Sequence, residues 1–238
     1  MKKWIFVVAA WAAAALSCLA QDGHAYVKQL IDERGTFRIV SMTETKGDIV
    51  VFGDNEFYTT GGVPEKLLAE LQRIQDKGIR IVDVQHTDQG SWIVVYGKND
   101  YTSSLLGHPS LYRTMISKLN ELKHKKIPIK SLSFCEIGYW AIITEGALDD
   151  DNADSSIESI GELQGLLGQQ DAHGNVLAVY FSGNAGIAVY ENGSVQFGEI
   201  SPDLLDLVSN ENEGVTDVSF CGKSFFLSKG ETNYVYDF

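Results

Sequence analysis

A glutamate and a histidine are the first candidates for polar chemistry in this chain. Glu44 and His86 occupy a predicted strand position at which three other copies of a repeated segment have Phe134, Phe181 and Phe220. A buried or half-buried Glu or His without a partner is costly, so this departure predicts a polar binding site. The alternative interpretation is that both residues lie at the solvated end of their sheets, and the sequence leaves it open.

The opposite face of the same strand carries small and polar residues. If equivalent strands converge on one axis, Asp83, Asp217, Cys135 and Cys221 would share a central pocket. A thiol beside His86 would permit nucleophilic catalysis. Tight packing between neighbouring sheets also requires small polar residues, so a structural interpretation stands beside the catalytic one. The two cysteines lie in units that are not sequential neighbours, and we do not expect a disulfide between them.

Two tryptophans open strands of Ile and Val. Trp92 and Trp140 could stack on sugar rings if they are exposed, whereas a Trp in such a strand is more often part of the core. The acidic run 149–154 offers oxygen ligands but lacks the Gly and the terminal Glu of a calcium loop. We therefore predict a solvated insertion there, no metal site and no cofactor.

The elements that must position these residues repeat about five times. Each copy has a half-buried strand, a polar or Gly turn, a continuous β-branched or aromatic strand, and a shorter third strand. A helix follows, and Pro64, Pro109 and Pro202 mark three of the helix starts. Apolar residues at helical spacing, such as Leu67, Leu71 and Ile74, give each helix a face to bury on its own sheet.

The two ends of the repeat region complement each other. A helix over 25–34 precedes the first strands, and the chain ends on a third strand without its helix. We therefore predict an α+β fold in which five strand-strand-strand-helix units close into a five-bladed β/α-propeller-like ring; the alternative is an open solenoid. The units cover about 36–78, 79–126, 127–172, 173–214 and 215–238, the last completed by helix 25–34.

The repeat resembles a known pattern. It is similar to the tandem G-x-W repeats of secreted bacterial proteins that are mostly uncharacterised. In that pattern Gly-x-Trp is followed by three apolar residues, then by Gly, Asn and an aromatic residue, and then by a helix that begins with Pro. The best copy spans Gly90 to Leu122. Five β/α units in a ring would also resemble the pentein superfamily, whose members bind or modify guanidino compounds and include non-catalytic proteins. No pentein catalytic motif matches this sequence, so the likeness implies architecture alone.

The N-terminal residues predict export, and the net negative charge predicts that the protein does not bind nucleic acid. Residues 1–20 have the basic start, apolar run and small-residue end of a signal peptide, which leaves 21–238 as one domain. Cys18 could instead carry a lipid anchor. The formal net charge is −13 and becomes −15 without Lys2 and Lys3, and such a surface repels phosphate backbones.

We therefore expect an exported, acidic, non-enzymatic binding or interaction protein of the periplasm or the cell surface. Its partner would be an unknown protein, small molecule or glycan, and no membrane span is predicted. Two alternatives remain at this point: a glycan-binding module, and a Cys-dependent hydrolase or transferase built on a pentein-like ring.

Overall fold

The chain folds into small antiparallel sheets and short helices, as a computed structural model describes it for residues 23–105, 110–144, 153–155, 173–183, 185–208, 215–221, 224–229 and 232–236. Within these residues there are four helices and five sheets of three strands each. Every sheet pairs its strands in chain order, so each is a simple meander. The predicted mixed α+β class is confirmed.

The sheets are numbered 1 to 5 along the chain. The strands of sheets 1 to 3 are β1 (Phe37–Ser41), β2 (Ile49–Phe52), β3 (Glu56–Thr59), β4 (Ile81–His86), β5 (Trp92–Tyr96), β6 (Asp100–Ser103), β7 (Ile129–Phe134), β8 (Trp140–Thr144) and β9 (Ala153–Ser155). Those of sheets 4 and 5 are β10 (Val176–Ser182), β11 (Ala185–Tyr190), β12 (Gly193–Phe197), β13 (Val215–Cys221), β14 (Ser224–Lys229) and β15 (Thr232–Tyr236). The helices are α1 (Gly23–Arg34), α2 (Glu65–Asp76), α3 (Arg113–Lys125) and α4 (Pro202–Val208).

Both faces of the central strands are buried because consecutive sheets pack face to face. In β5, Val94 joins the core shared with sheet 1 and α2, while Ile93 and Val95 join the core shared with α3 and sheet 3. Burial on both faces explains why these strands are continuous apolar runs instead of alternating ones. Helix α2 packs on its own sheet, as expected, and on the next one as well, because Leu71 shares a core with residues of sheets 1 and 2.

Two of the three proline predictions place a helix start within one residue. Pro64 is the N-cap of α2, and Pro202 is the first residue of α4. Pro109 lies outside the described residues; residues 110–112 are not helical, and α3 begins at Arg113. The preceding residues form a turn instead, in which the hydroxyl of buried Tyr112 donates to the carbonyl oxygen of Cys135 at 2.9 Å.

Sheet 4 lacks the Trp of the second and third copies for a steric reason. Gly186 stands where its counterparts carry Trp92 and Trp140, and a Cβ there would lie 2.7 Å from the ring of Phe197 and 1.9 Å from the carbonyl oxygen of Tyr180. The Phe197 ring from the neighbouring strand therefore fills the space that an indole fills elsewhere. In this copy the aromatic group has moved from the second strand to the third.

Helix α1 packs between sheet 1 and sheet 5. Its buried residues Val27, Leu30 and Ile31 share one core with strands β1 and β2 and with Phe226 of β14. The helix also contacts β15. The ring of Phe226 meets that of Phe37 edge to face, with centroids 5.2 Å apart. The first helix of the chain is thus in contact with the last sheet.

The first strands of the five sheets contact one another in sequence. β1 contacts β4, β4 contacts β7, β7 contacts β10, β10 contacts β13, and β13 contacts β1. The last contact includes a hydrogen bond in which the backbone amide of Met42 donates to the hydroxyl of Ser219 at 2.9 Å. The carboxyl ends of these strands therefore lie together at one end of an axis, and their amino ends lie at the other.

Some sequence predictions fall outside the described residues. These are the signal peptide 1–20 with Cys18, the helix expected near Ile157 to Leu167, and residues 149–152 of the acidic run. Nor does the structure describe the side chain of Cys221. Among the parts of the chain that it does describe, no helix has the length and apolar character that a bilayer span requires.

Candidate functional site

The strand pairing corrects the alignment of the first repeat. Every first strand has a β-bulge after its first residue, between Phe37 and Ile39 in β1 and between Ile81 and Asp83 in β4. This bulge makes Met42 the counterpart of His86, and the counterpart of Glu44 is Asp88. The predicted equivalence of Glu44 with His86 is therefore wrong by two residues. The sequence alignment was shifted because it matched Met42, an apolar residue, with Val84, whereas the counterpart of Val84 in the structure is Val40.

A cavity of about 400 Å³ lies at the carboxyl ends of the five first strands, and we call it the upper cavity. All five sheets contribute to it. Its described lining contains three aromatic rings at equivalent strand positions, Phe134, Phe181 and Phe220, and several hydroxyl groups. It also contains three carboxylates, Glu44, Asp88 and Glu136, and no lysine or arginine.

His86 is buried against the wall of the upper cavity, so the interpretation that it lies at a solvated sheet end is wrong. Its Nε2 donates to the carbonyl oxygen of Gly47 at 2.9 Å, and its Nδ1 accepts from the hydroxyl of Ser41 at 2.7 Å. Both ring nitrogens are therefore occupied. Burial lowers the pKa of His86, so the ring is neutral at neutral pH. The partners explain how a histidine can stand at an otherwise apolar position.

The three carboxylates differ in what they contact. Asp88 accepts from the backbone amide of Thr45 at 2.7 Å, and Glu136 accepts from the backbone amide of Gln89 at 2.9 Å. Each bond joins the turn of one sheet to the turn of the next, so these two residues link neighbouring units. Glu44 is exposed at the cavity mouth and makes no hydrogen bond or ion pair to the described residues. It is the carboxylate available to a ligand.

Cys135 also lines the upper cavity, but its environment is that of an inert thiol. The side chain is buried and free of any disulfide, and Sγ donates to the carbonyl oxygen of Gly183 at 3.3 Å. Burial raises the pKa of the Cys135 thiol, which keeps it protonated. The two ring nitrogens of His86 are engaged elsewhere. The catalytic pairing of a thiol with His86 therefore has no support in this geometry.

Trp92 and Trp140 belong to the core and not to the surface. The two residues are 5% and 4% exposed, respectively. The indole Nε1 of Trp140 donates to the hydroxyl of Thr114 at 3.2 Å. Stacking on a sugar requires an open indole face, so neither residue is placed for glycan binding.

A second cavity, of about 310 Å³, lies at the amino ends of the first strands, and we call it the lower cavity. Asp83 and Asp217 line it, as does Tyr180, which lines the upper cavity too. The structure therefore has two cavities where the sequence predicted one central pocket. The aspartates belong to the lower one and Cys135 belongs to the upper one.

The two aspartates form a buried cluster with Tyr180. Asp217 is hydrogen-bonded to the Tyr180 hydroxyl and to the backbone amide of Val40, and Asp83 accepts from the backbone amide of Leu132 at 2.8 Å. Burial raises the pKa of Asp217 to about 8 and that of Asp83 to about 6, and the nearby Asp83 charge adds to the rise at Asp217. At neutral pH Asp217 therefore carries a proton.

The mouth of the lower cavity is positively charged. Arg38 and Lys130 line it, and Nη2 of Arg38 donates to the carbonyl oxygen of Ile81 at 2.5 Å. Sequence reasoning missed Arg38 and Tyr180. A signal was present, because Arg38 stands where sheets 2 and 4 have Val82 and Leu177. Across the described residues, no group of three or more His, Cys, Asp or Glu side chains is placed to hold a metal ion.

Comparison with known proteins adds little to this geometry. No protein-family model matches the chain, and no curated protein matches it. A solved structure described as "YCF48 bound to D1 peptide" is similar, with 11% identity and a TM-score of 0.35 over 85% of this chain and 66% of that one. This chain therefore spans just under two thirds of that structure's length. A likeness at that TM-score defines neither fold nor function.

Proposed function

We propose that this protein is an exported, non-enzymatic binding protein whose five units close into a ring and whose ligand binds in the upper cavity through a cationic group. The observation that carries this proposal is the lining of the cavity: the carboxyl ends of the first strands from all five sheets surround it. A concave site with a few convergent polar groups is the usual form of a small-ligand site.

Ring closure is supported by the contacts between the first and last units. The cyclic order of first-strand contacts, the Met42 to Ser219 hydrogen bond and the packing of α1 against sheets 1 and 5 are what a closed ring requires. An open solenoid would leave a face of sheet 5 without cover. Instead, Phe226 of sheet 5 is fully buried.

The charge of the upper cavity supports a cationic ligand. Glu44, Asp88 and Glu136 carry negative charge around the mouth, and the described lining has no lysine or arginine to balance them. Inside, Phe134 and Phe181 line the wall and give an alkyl chain an apolar surface. An alkylammonium group, such as a lysine side chain or a free amine, satisfies both features.

The absence of an activated nucleophile among the described residues of the cavity supports binding over catalysis. Cys135 is a protonated, hydrogen-bonded thiol, and both nitrogens of His86 are occupied. The basic and apolar start of the chain supports export, and the net charge of −13 supports a cationic partner over nucleic acid.

The test is calorimetric titration of the purified protein with hexylammonium and with its neutral analogue 1-hexanol. We expect the ammonium to bind about fivefold or more tightly than the alcohol, and its affinity to fall as salt increases. Glu44→Gln should weaken hexylammonium binding by about fivefold, which corresponds to ~1 kcal/mol.

The matched control is Glu65→Gln, which neutralises an exposed glutamate on α2 outside the cavity. It should leave the affinity for hexylammonium unchanged. Equal binding of the ammonium and the alcohol, or equal effects of the Glu44→Gln and Glu65→Gln substitutions, would contradict the proposal.

A further inference from the structure

Two buried polar atoms at the lower cavity lack hydrogen-bond partners among the described residues. They are Oδ2 of Asp217, whose residue is 8% exposed, and Nη1 of Arg38. Both residues line the lower cavity. Native proteins rarely leave buried polar atoms unpaired, because each loses its bonds to water on burial. Two such atoms beside one cavity therefore point to a bound molecule that supplies their partners.

The two atoms require partners of opposite kind. The free oxygen of Asp217 can accept from an ammonium group, whereas Nη1 of Arg38 can only donate, for which a carboxylate is the strongest partner. The guanidinium is held in place by the bond from Nη2 to the Ile81 carbonyl, so Nη1 keeps its position without the ligand. Asp54 lies 4.0 Å from Nη1, too far for a hydrogen bond.

The charges around the cavity are ordered along the axis. Strands β1 and β7 contribute Arg38 and the exposed Lys130, while β4 and β13 contribute the buried Asp83 and Asp217 and β10 contributes the partly buried Tyr180. Positive groups therefore lie nearer to solvent and negative groups lie deeper. A molecule with both charges would bind with its ammonium group inward and its carboxylate outward.

The size and the remaining lining limit the ligand further. About 310 Å³ corresponds to roughly ten waters at liquid density. The rest of the wall is mostly aliphatic and contains Ile39, Val82, Leu177, Val189 and Val215. We propose that the lower cavity is a second binding site, which holds a free α-amino acid with an aliphatic side chain between Asp217 and Arg38.

Binding should be linked to proton release. Because burial raises the pKa of Asp217 to about 8, the free site holds a proton at pH 7, and an ammonium group displaces it. Asp83, whose pKa is raised to about 6, is mostly ionised at pH 7, and Tyr180 stays protonated. Affinity should therefore rise between pH 6.5 and pH 8, as the cost of removing this proton falls.

The test is calorimetric titration of the purified protein with L-leucine and with two analogues that each lack one charged group. These are 4-methylpentanoate, without the ammonium group, and 3-methylbutylamine, without the carboxylate. We expect leucine to bind with release of up to one proton, and each analogue to bind about tenfold or more weakly. No binding of leucine at 10 mM, or equal binding of all three compounds, would overturn the proposal.

Two variants assign the effect to its residues. Asp217→Asn keeps the size of the side chain and should abolish proton release and weaken leucine binding about tenfold. Arg38→Gln should weaken leucine but leave 3-methylbutylamine unchanged, which keeps the test valid if the Asn variant folds poorly. Glu44→Gln, at the upper cavity, should leave leucine binding unchanged. Unaltered leucine binding in a folded Asp217→Asn or Arg38→Gln variant would overturn the assignment.

Discussion

The two ends of the central axis are built from the same five strands but have opposite chemistry. At the upper end carboxylates such as Glu44 surround the mouth and aromatic rings lie inside. At the lower end Arg38 and Lys130 lie at the mouth, while Asp83 and Asp217 lie inside. The repeat fixes the backbone at each position, so one side chain per unit is enough to change the charge. In such a repeat, the side chains that differ between equivalent positions therefore determine the chemistry of each cavity.

The buried titratable groups at the two ends also differ in the direction of their pKa shifts. The upper end contains a histidine whose pKa is lowered by burial, and the lower end contains aspartates whose pKa values are raised by burial. His86 is neutralised by losing a proton, and Asp217 is neutralised by holding one. His86 and Asp217 therefore both avoid a buried charge at neutral pH, each in the way that its own side chain allows.

The largest effect is expected from breaking the contact between the first and last units, because both cavities require it. Ile31 of α1 is 1% exposed between sheets 5 and 1, and Leu71 of α2 is 0% exposed between sheets 1 and 2. In a closed ring, Ile31→Ala and Leu71→Ala should each lower the free energy of unfolding by ~2–5 kcal/mol in urea denaturation. A loss below ~1 kcal/mol for Ile31→Ala alone would indicate an open solenoid.

A smaller effect, of opposite sign at the two ends, is expected in the dependence of stability on pH. From about pH 4.5 to pH 8 the folded state holds the Asp217 proton and the unfolded state does not, so Asp217 makes stability fall as pH rises, by on the order of 1 kcal/mol per unit. Below pH 6.5 the unfolded state protonates its histidine and folded His86 does not, so this residue makes stability fall as pH decreases.

Two variants separate these contributions in thermal unfolding followed across pH. Asp217→Asn should reduce the loss of stability with rising pH throughout the range from pH 4.5 to pH 8, because the unfolded aspartate is already ionised across that range. His86→Gln should make the protein lose less stability than the wild type between pH 6.5 and pH 4.5. If both variants kept the pH profile of the wild type, the buried ionisation states inferred at the two ends would be wrong.

The sequence predicted the elements well because local chemistry determines them. Short β-branched runs between turn residues, such as Ile93 to Val95, favour strands, and Pro64 and Pro202 fit the starts of helices. The register was harder, because a bulge after the first residue of each first strand changes which positions align. The sequence alignment without the bulge placed Glu44 at the position that Met42 occupies. It therefore treated Glu44 and His86 as equivalent, although Glu44 is exposed and His86 is buried.

The sites were predicted only in part, since they depend on which side chains meet across sheets. The aspartate pair was foreseen from equivalent positions, but its separation from Cys135 was not, because Tyr180 lines both cavities and only the fold shows this. Arg38 and Ser41 acquire partners 43 and 45 residues away in the chain, respectively. No local pattern encodes such contacts.

If the upper and lower cavities are two separate sites, both ligands should bind to one chain at the same time. The protein should be titrated with L-leucine in the presence and absence of saturating hexylammonium, with stoichiometry and affinity measured by calorimetry. We predict one leucine bound per chain, with an affinity that hexylammonium changes by less than about twofold. Competition between the two ligands would show that the two cavities act as a single site.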